Sequence, residues 1–183
     1  MNTSASRIAE FKQRVEKEWV GDDTAAAWQK YYPPMREQLA RVTEALVEAA
    51  SPQPGMRVLD LASGVGEPSL SLARRVGPAG IVTATDLSPG MLAALGANAW
   101  AEGITNINRR VCDAQQLPFP DSSFDLVTSR FGVMFFADLG RALSEIRRVL
   151  KPGGAMAFMV WGGRPCPEAT SARRPCPSCA GWP

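Results

Sequence analysis

The chain has 183 residues, of which 45% are hydrophobic and 21% charged, a balance that suits one globular domain with a sizeable core. Its net charge is +2, with lysines and arginines scattered among acids, so no basic stripe suggests nucleic acid. No apolar run reaches membrane-span length, and the amino terminus lacks the apolar stretch of a signal peptide; a cytoplasmic location is the expectation.

The first fifty residues read as amphipathic helices. Residues 8–20 carry Ile8, Phe11, Val15 and Trp19 on one face, residues 24–31 carry Trp28 and Tyr31, and residues 35–50 repeat Met35, Leu39, Val42, Leu46 and Ala49. Pro33-Pro34 and the stretch Ser51-Pro52-Gln53-Pro54-Gly55 read as breaks. An apolar strand at 57–61 then enters a loop of small residues holding Gly64 and Gly66, and Glu67-Pro68 opens a helical pattern over 68–76. Strand, glycine loop and helix in that order let a ligand approach the backbone where a Cβ would block it, and exposed N–H groups at the helix start supply donors. A nucleotide-like ligand is the first expectation. The third glycine of the dinucleotide fingerprint and the P-loop lysine are both absent, so a plain strand-to-helix turn stands beside it.

A second strand at 81–85 ends in Asp86, about twenty residues after Gly66, where a carboxylate can accept from both hydroxyls of a ribose. A third strand at 106–111 ends in Cys112-Asp113-Ala114. A fourth, at 124–129, is followed by Arg130-Phe131, and Lys151-Pro152-Gly153-Gly154 leads into a fifth at 155–161. Helical patterns at 91–102 and 139–150 lie between them. This alternation predicts an α/β fold with a doubly wound, mostly parallel sheet of about five strands, whose ligands sit outside the carboxyl ends of the strands. Asp86 and Asp113 also suit helix or turn caps, and Met91 suits a core.

The ordered motifs D-L-A-S-G-V-G, T-D-L-S-P-G-M-L, D-A-Q-Q-L-P-F-P-D-S-S-F-D-L-V and R-R-V-L-K-P-G-G resemble those of the seven-strand S-adenosylmethionine-dependent methyltransferases, in the branch with the ubiquinone and menaquinone enzymes. The resemblance covers residues 55–161. It implies S-adenosylmethionine as cofactor and a small-molecule methyl acceptor. Asp60 and the loop backbone, with Ala62, Ser63, Gly64 and Gly66, would hold the cofactor's amino-acid end. Asp86 would serve the ribose hydroxyls, Met91 one adenine face, Asp113 the adenine amino group and Ala114 N–H the ring, with Leu87 a further cofactor-binding residue and Arg130 on the same ligand side. Ala62 stands where the family's first loop glycine is usual.

In that family the leading helices cap the cofactor site and help shape the acceptor pocket. The division expected is therefore a helical cap over residues 1–54, a cofactor-binding core over 55–163 and a tail over 164–183. Trp19, Trp28, Tyr31 and Tyr32 are the candidate pocket aromatics. With no histidine in the chain, a general base would be Asp, Glu, Tyr, Cys or Lys, or the acceptor arrives already nucleophilic.

The tail is rich in proline, and its three arginines against one glutamate carry the chain's whole excess charge. Its composition reads as disordered, and Cys176 and Cys179 lack the second pair a zinc site needs. The resembled fold normally adds a helix and an antiparallel strand pair after the fifth strand. Nothing of that kind is legible here, so the sequence looks like a member shifted in frame or cut near Gly162–Gly163, with the fifth strand an exposed edge open to self-association. A nicotinamide-dependent oxidoreductase and a non-catalytic remnant that binds cofactor are the alternatives.

Overall fold

A computed structural model describes residues 4–162; the readings made for the tail from 164 onward lie outside the described residues. Three helices come first, α1 (Ser4–Trp19), α2 (Asp22–Gln38) and α3 (Ala40–Ala50). They are followed by β1 (Arg57–Leu61), α4 (Ser69–Val76), β2 (Ile81–Asp86), α5 (Pro89–Ala101), β3 (Ile107–Val111), β4 (Phe124–Arg130), a short 3-10 turn at Val133–Phe135, α6 (Leu139–Val149) and β5 (Leu150–Met159).

The strands form one parallel sheet in the order β3-β2-β1-β4-β5. Apolar residues on the two faces of β1 explain the double winding. Val58, with Val82 and Leu126 beside it, packs under Val47 of α3 and Leu72, Ala73 and Val76 of α4. Leu59 and Leu61, with Val127, face the opposite way onto Ile146 and Val149 of α6. Side chains buried so completely contribute about 1.5–3 kcal/mol each, and both faces need cover. From β1 the chain winds out to β3 and then returns to β4 on the other side of β1. The crevice between the carboxyl ends of β1 and β4 is the switch point where α/β sheets place ligands.

Two local expectations are corrected. Pro33-Pro34 does not end a helix: α2 runs through both prolines, and the break falls at Leu39, between α2 and α3. An interior proline costs about 3 kcal/mol or more, yet both flanking turns are anchored. Ala25 and Tyr32 are buried before the prolines, and Arg36 after them pairs with Glu67 and Glu102. Second, β5 starts at Leu150 and not at Ala155. Phe124 pairs with Leu150 but Leu126 with Ala155, so Lys151-Pro152-Gly153-Gly154 bulges out of the ladder, and regular pairing resumes at Ala155 as the sequence suggests. Among the described strands β5 is an edge, with Met156 half-exposed on it and Val160 and Trp161 exposed just beyond its end.

Candidate functional site

At the carboxyl ends of β1, β2 and β4 lies a cavity of about 390 Å³, floored by the loops that follow those strands and roofed by α1 and α2. Ten of the eleven residues singled out from the sequence line it: Ala62, Ser63, Gly64, Gly66, Asp86, Leu87, Met91, Asp113, Ala114 and Arg130. The positions converge because each lies at or just beyond the carboxyl end of a parallel strand.

The loop after β1 is bound to its surroundings through Asp86. One Asp86 oxygen accepts from Gly64 N–H at 3.0 Å, and the other accepts from Ser88 N–H at 2.9 Å. Burial pushes the Asp86 carboxyl up, and the N–H groups of Ser88, Gly64 and Leu87 offset part of that. Gly64 has φ +55° and open space on its side-chain side, so the backbone there can meet a ligand directly. Gly66 is required for a different reason: a Cβ on it would stand 2.7 Å from the Tyr32 hydroxyl. Ala62, at the family's usual glycine, takes φ +52°, a left-handed conformation that costs an L-residue about 1–2 kcal/mol.

Asp113 is already engaged. Lys12 Nζ donates to one oxygen at 2.7 Å, and Gln115 donates to the other through its backbone N–H at 2.9 Å and its side-chain amide. Burial alone would raise the Asp113 carboxyl, but these donors outweigh it and hold it below the ordinary carboxylate range. Met91 sits in the first turn of α5, where the Ser88 hydroxyl accepts from its N–H and caps the helix.

Asp60 is placed differently. It is fully buried behind the loop and does not line the cavity. Its carboxylate accepts from the Ser69 hydroxyl at 2.5 Å and the Thr128 hydroxyl at 2.8 Å, tying the start of α4 to β4. Burial pushes Asp60 up to about 7, against the pull of those two hydroxyls. A folded-state value above the unfolded one of about 3.9 means that the native state binds the extra proton, so this group favours folding most at low pH. Its contribution should fall as pH rises from about 4 to about 7 and stay level beyond. Asp60→Asn should remove that slope from urea melts run across the window; a variant whose stability keeps the wild-type pH dependence would exclude Asp60 as its source.

Of the expected aromatics, Trp19, Trp28 and Tyr32 line the cavity, whereas Tyr31 is turned outward and 54% exposed. Adjacent residues lie about 100° apart on a helix, so α2 can bury one of the two tyrosines on this side and not both. Trp19 packs against Trp28 and Phe135, with ring centroids 5.7 and 5.1 Å away. Phe131, at φ +64°, stacks flat on Trp161 at 4.3 Å. Lys12, Arg36, Glu67 and Gln115 line the cavity without having been singled out. A signal existed for Lys12, which shares a helical stripe with Ile8, Val15 and Trp19 and is the charge on an otherwise apolar face.

Four buried side-chain atoms among the described residues have no hydrogen-bond partner: Trp19 Nε1, Tyr32 Oη, Ser63 Oγ and Arg130 Nε. All four belong to residues of this cavity wall. Leaving such groups unpaired costs about 1–3 kcal/mol each. Two of the four, the indole and guanidinium N–H groups, can only donate. The residues present thus fit a polar, partly anionic ligand with a flat body, as S-adenosylmethionine is.

Fold and site together define a Rossmann-like α/β domain with its ligand cavity at the carboxyl ends of the strands. A methyltransferase-domain family profile matches residues 59–158, and the chain belongs to that family. It is 43% identical over 126 residues to the ubiquinone/menaquinone biosynthesis C-methyltransferase UbiE of Bordetella avium, covering 68% of this chain and 49% of that protein. It is 40% identical over 114 residues to the enzyme of the same name from Shewanella halifaxensis, covering 62% and 45%. The chain therefore spans about half the length of the curated relatives it matches. Among solved structures it resembles a SAM-dependent methyltransferase from Aquifex aeolicus, with a TM-score of 0.61 at 26% identity over 65% of this chain and 63% of that one. It also resembles the cyclase SpnF, with a TM-score of 0.60 at 32% identity over 64% and 43%.

Proposed function

We propose that this chain binds S-adenosylmethionine in the cavity and directs its methyl group to a small-molecule acceptor, at carbon or oxygen. The observation that carries the reading is the convergence of the glycine loop, Asp86, Asp113 and four unpaired polar atoms on one cavity at the switch point of the sheet. In this reading the loop backbone from Ser63 to Gly66 takes the amino-acid end, Asp86 and Leu87 the ribose, and Met91, Asp113 and Ala114 the adenine. Arg130 lies beside the amino-acid end, and Asp60 acts through Ser69 and Thr128 as a positioning residue. Residues 1–54 serve as a helical cap over the core of 55–163, a division supported by the cavity lining that Lys12 and Trp19 of α1 and Tyr32 of α2 supply.

When bound, the cofactor supplies an electrophilic methyl group on a sulfonium. The chain's own residues then have to orient two reactants in line and exclude water. Trp19, Trp28, Phe131 and Phe135 provide the dry wall. Neither the Cys112 thiol, pushed up to about 11 by burial, nor the Tyr32 phenol, pushed up to about 12 by burial and the Glu67 charge, is ionised at neutral pH. Asp86 and Asp113 hold their oxygens against N–H donors. This arrangement favours an acceptor that arrives already nucleophilic. Calorimetry with S-adenosylmethionine, S-adenosylhomocysteine and NAD tests the reading: binding of the first two and not the third is expected, and preference for NAD would move the chain to the oxidoreductases.

The apolar edge supports self-association as well. Among the described strands β5 has one ladder edge without a partner, with Met156 exposed on that strand, and pairing of this edge with a second copy would cover both. Sedimentation at high micromolar concentration should find dimers or larger species that Met156→Lys diminishes. A wild-type chain that stays monomeric there would sink the idea.

A further inference from the structure

Helix α1 roofs the cavity but is lightly attached to what lies beneath it. Among its described side chains Val15 alone is buried, at 6% exposure, and Trp19 at its far end packs on Trp28 and Phe135. The ion pair that joins the helix to the strand ends runs from Lys12 Nζ to Asp113 Oδ2 at 2.7 Å, with the Lys12 side chain 43% and the Asp113 side chain 20% exposed. Glu16 and Arg141 are the other charges that reach Lys12, the first favouring its ammonium and the second opposing it. A lone helix of this length is close to marginal in water, so the same few contacts keep α1 both in place and folded.

The connection behind α1 is short. Val20 and Gly21 alone separate it from α2, and a Cβ on Gly21 would meet nothing nearer than the Thr24 hydroxyl at 3.8 Å. That hydroxyl donates to the Glu18 carbonyl across the joint, in an exposed bond. Lys12 and Asp113 both line the cavity, so the pair lies where a ligand passes. A carboxylate offers about four acceptor sites. Lys12 Nζ, the Gln115 N–H and the Gln115 side-chain amide hold Asp113, which leaves room for one more donor without displacing Lys12. The pair can therefore stay closed with a ligand beneath it.

We propose that the Lys12–Asp113 pair is an electrostatic latch: it holds α1 down over the cavity, and ligand enters or leaves when the pair opens and α1 swings about Val20-Gly21. The pair suits a latch because it is weak. A partly exposed ion pair biases closure by up to about fivefold and is screened by salt, whereas a deeply buried one would hold the roof shut. Because the latch acts on the closed state with and without ligand alike, it sets how fast ligand exchanges and not how tightly it binds. The choice of S-adenosylhomocysteine as probe rests on the cofactor reading; the closure of α1 does not. The amino-acid end of that probe is zwitterionic, so it carries no net charge and salt does not steer its approach.

Stopped-flow tryptophan fluorescence, with Trp19 and Trp28 in the cavity wall, times the exchange of S-adenosylhomocysteine on the wild type, Lys12→Met and Lys12→Arg. Lys12→Met keeps the apolar stem and removes the charge. Association and dissociation should each run about threefold faster in it, with affinity within about twofold of the wild type. Lys12→Arg should keep the wild-type rates, and high salt should bring the wild type to the Lys12→Met rates while leaving that variant where it is. Faster dissociation alone, with affinity lost in proportion, would make Lys12 a ligand contact and overturn the latch; so would rates that Lys12→Met leaves unchanged. Amide hydrogen exchange on the ligand-free chain tests closure without any cofactor. In Lys12→Met residues 4–19 should lose protection and α4 should not. Equal exchange of α1 in the two proteins would overturn the latch. A wild-type chain that does not bind S-adenosylhomocysteine would overturn the cofactor reading, and exchange alone then decides the latch.

Discussion

Gly66→Val is expected to abolish binding of S-adenosylhomocysteine while leaving the far-ultraviolet circular dichroism close to wild type. The cause is space. A Cβ at Gly66 would approach the Tyr32 hydroxyl to 2.7 Å and Leu70 Cδ1 to 3.0 Å, and valine adds two methyl groups beyond it. Leu70 is fully buried in α4 and Tyr32 sits in α2, so the loop has to move away from both and into the cavity it floors. Helices α2 and α4 keep their own hydrogen bonds, which is why the helical signal survives. Gly64→Ala makes the contrast: nothing crowds that position, and only its φ of +55° resists a side chain, at about 1–2 kcal/mol. Wild-type affinity in Gly66→Val would show that the loop does not cradle the ligand.

Asp86→Ala is expected to weaken the same ligand by about 1–3 kcal/mol, roughly five- to 150-fold. Two losses combine. The ribose hydroxyls assigned to Asp86 lose their acceptor, and Gly64 N–H loses the carboxylate that fixes the loop at 3.0 Å. Asp86→Asn keeps one acceptor oxygen and should fall between the two. Titration calorimetry, with circular dichroism as a check on folding, separates the outcomes. An affinity in Asp86→Ala equal to the wild type, in a folded protein, would remove Asp86 from the ligand.

Much of this was legible because it is local. Apolar runs marked β1, β2 and β4 and their alternation with helical stripes placed β3 and β5, and the strand ends placed Gly64, Asp86, Met91 and Asp113 around one crevice. Such signals depend on residues a few positions apart, and parallel strands joined by crossover helices leave little choice of which end carries the ligand. The regular β5 ladder from Ala155 was readable, but the start at Leu150 was not, since Lys151-Pro152-Gly153-Gly154 reads as a turn and the structure carries it within the strand as a bulge.

What the sequence by itself determined, then, was the order of elements, the glycine loop and the sheet end where the site lies. Tertiary structure alone decided the contacts between distant residues. Lys12 reaches Asp113 across 101 positions, and Arg130 reaches Thr43 across 87. Packing of Tyr32 and pairing of Arg36 carry α2 through two prolines that local propensity reads as a stop. Asp60 shares its strand end with the loop, yet its carboxylate turns inward because Ser69 and Thr128, nine and 68 positions away, bring hydroxyls to both its oxygens. Local periodicity encodes where a backbone segment goes. Which donor meets a buried acceptor is settled only when the folded chain brings the two together and leaves neither an alternative in water.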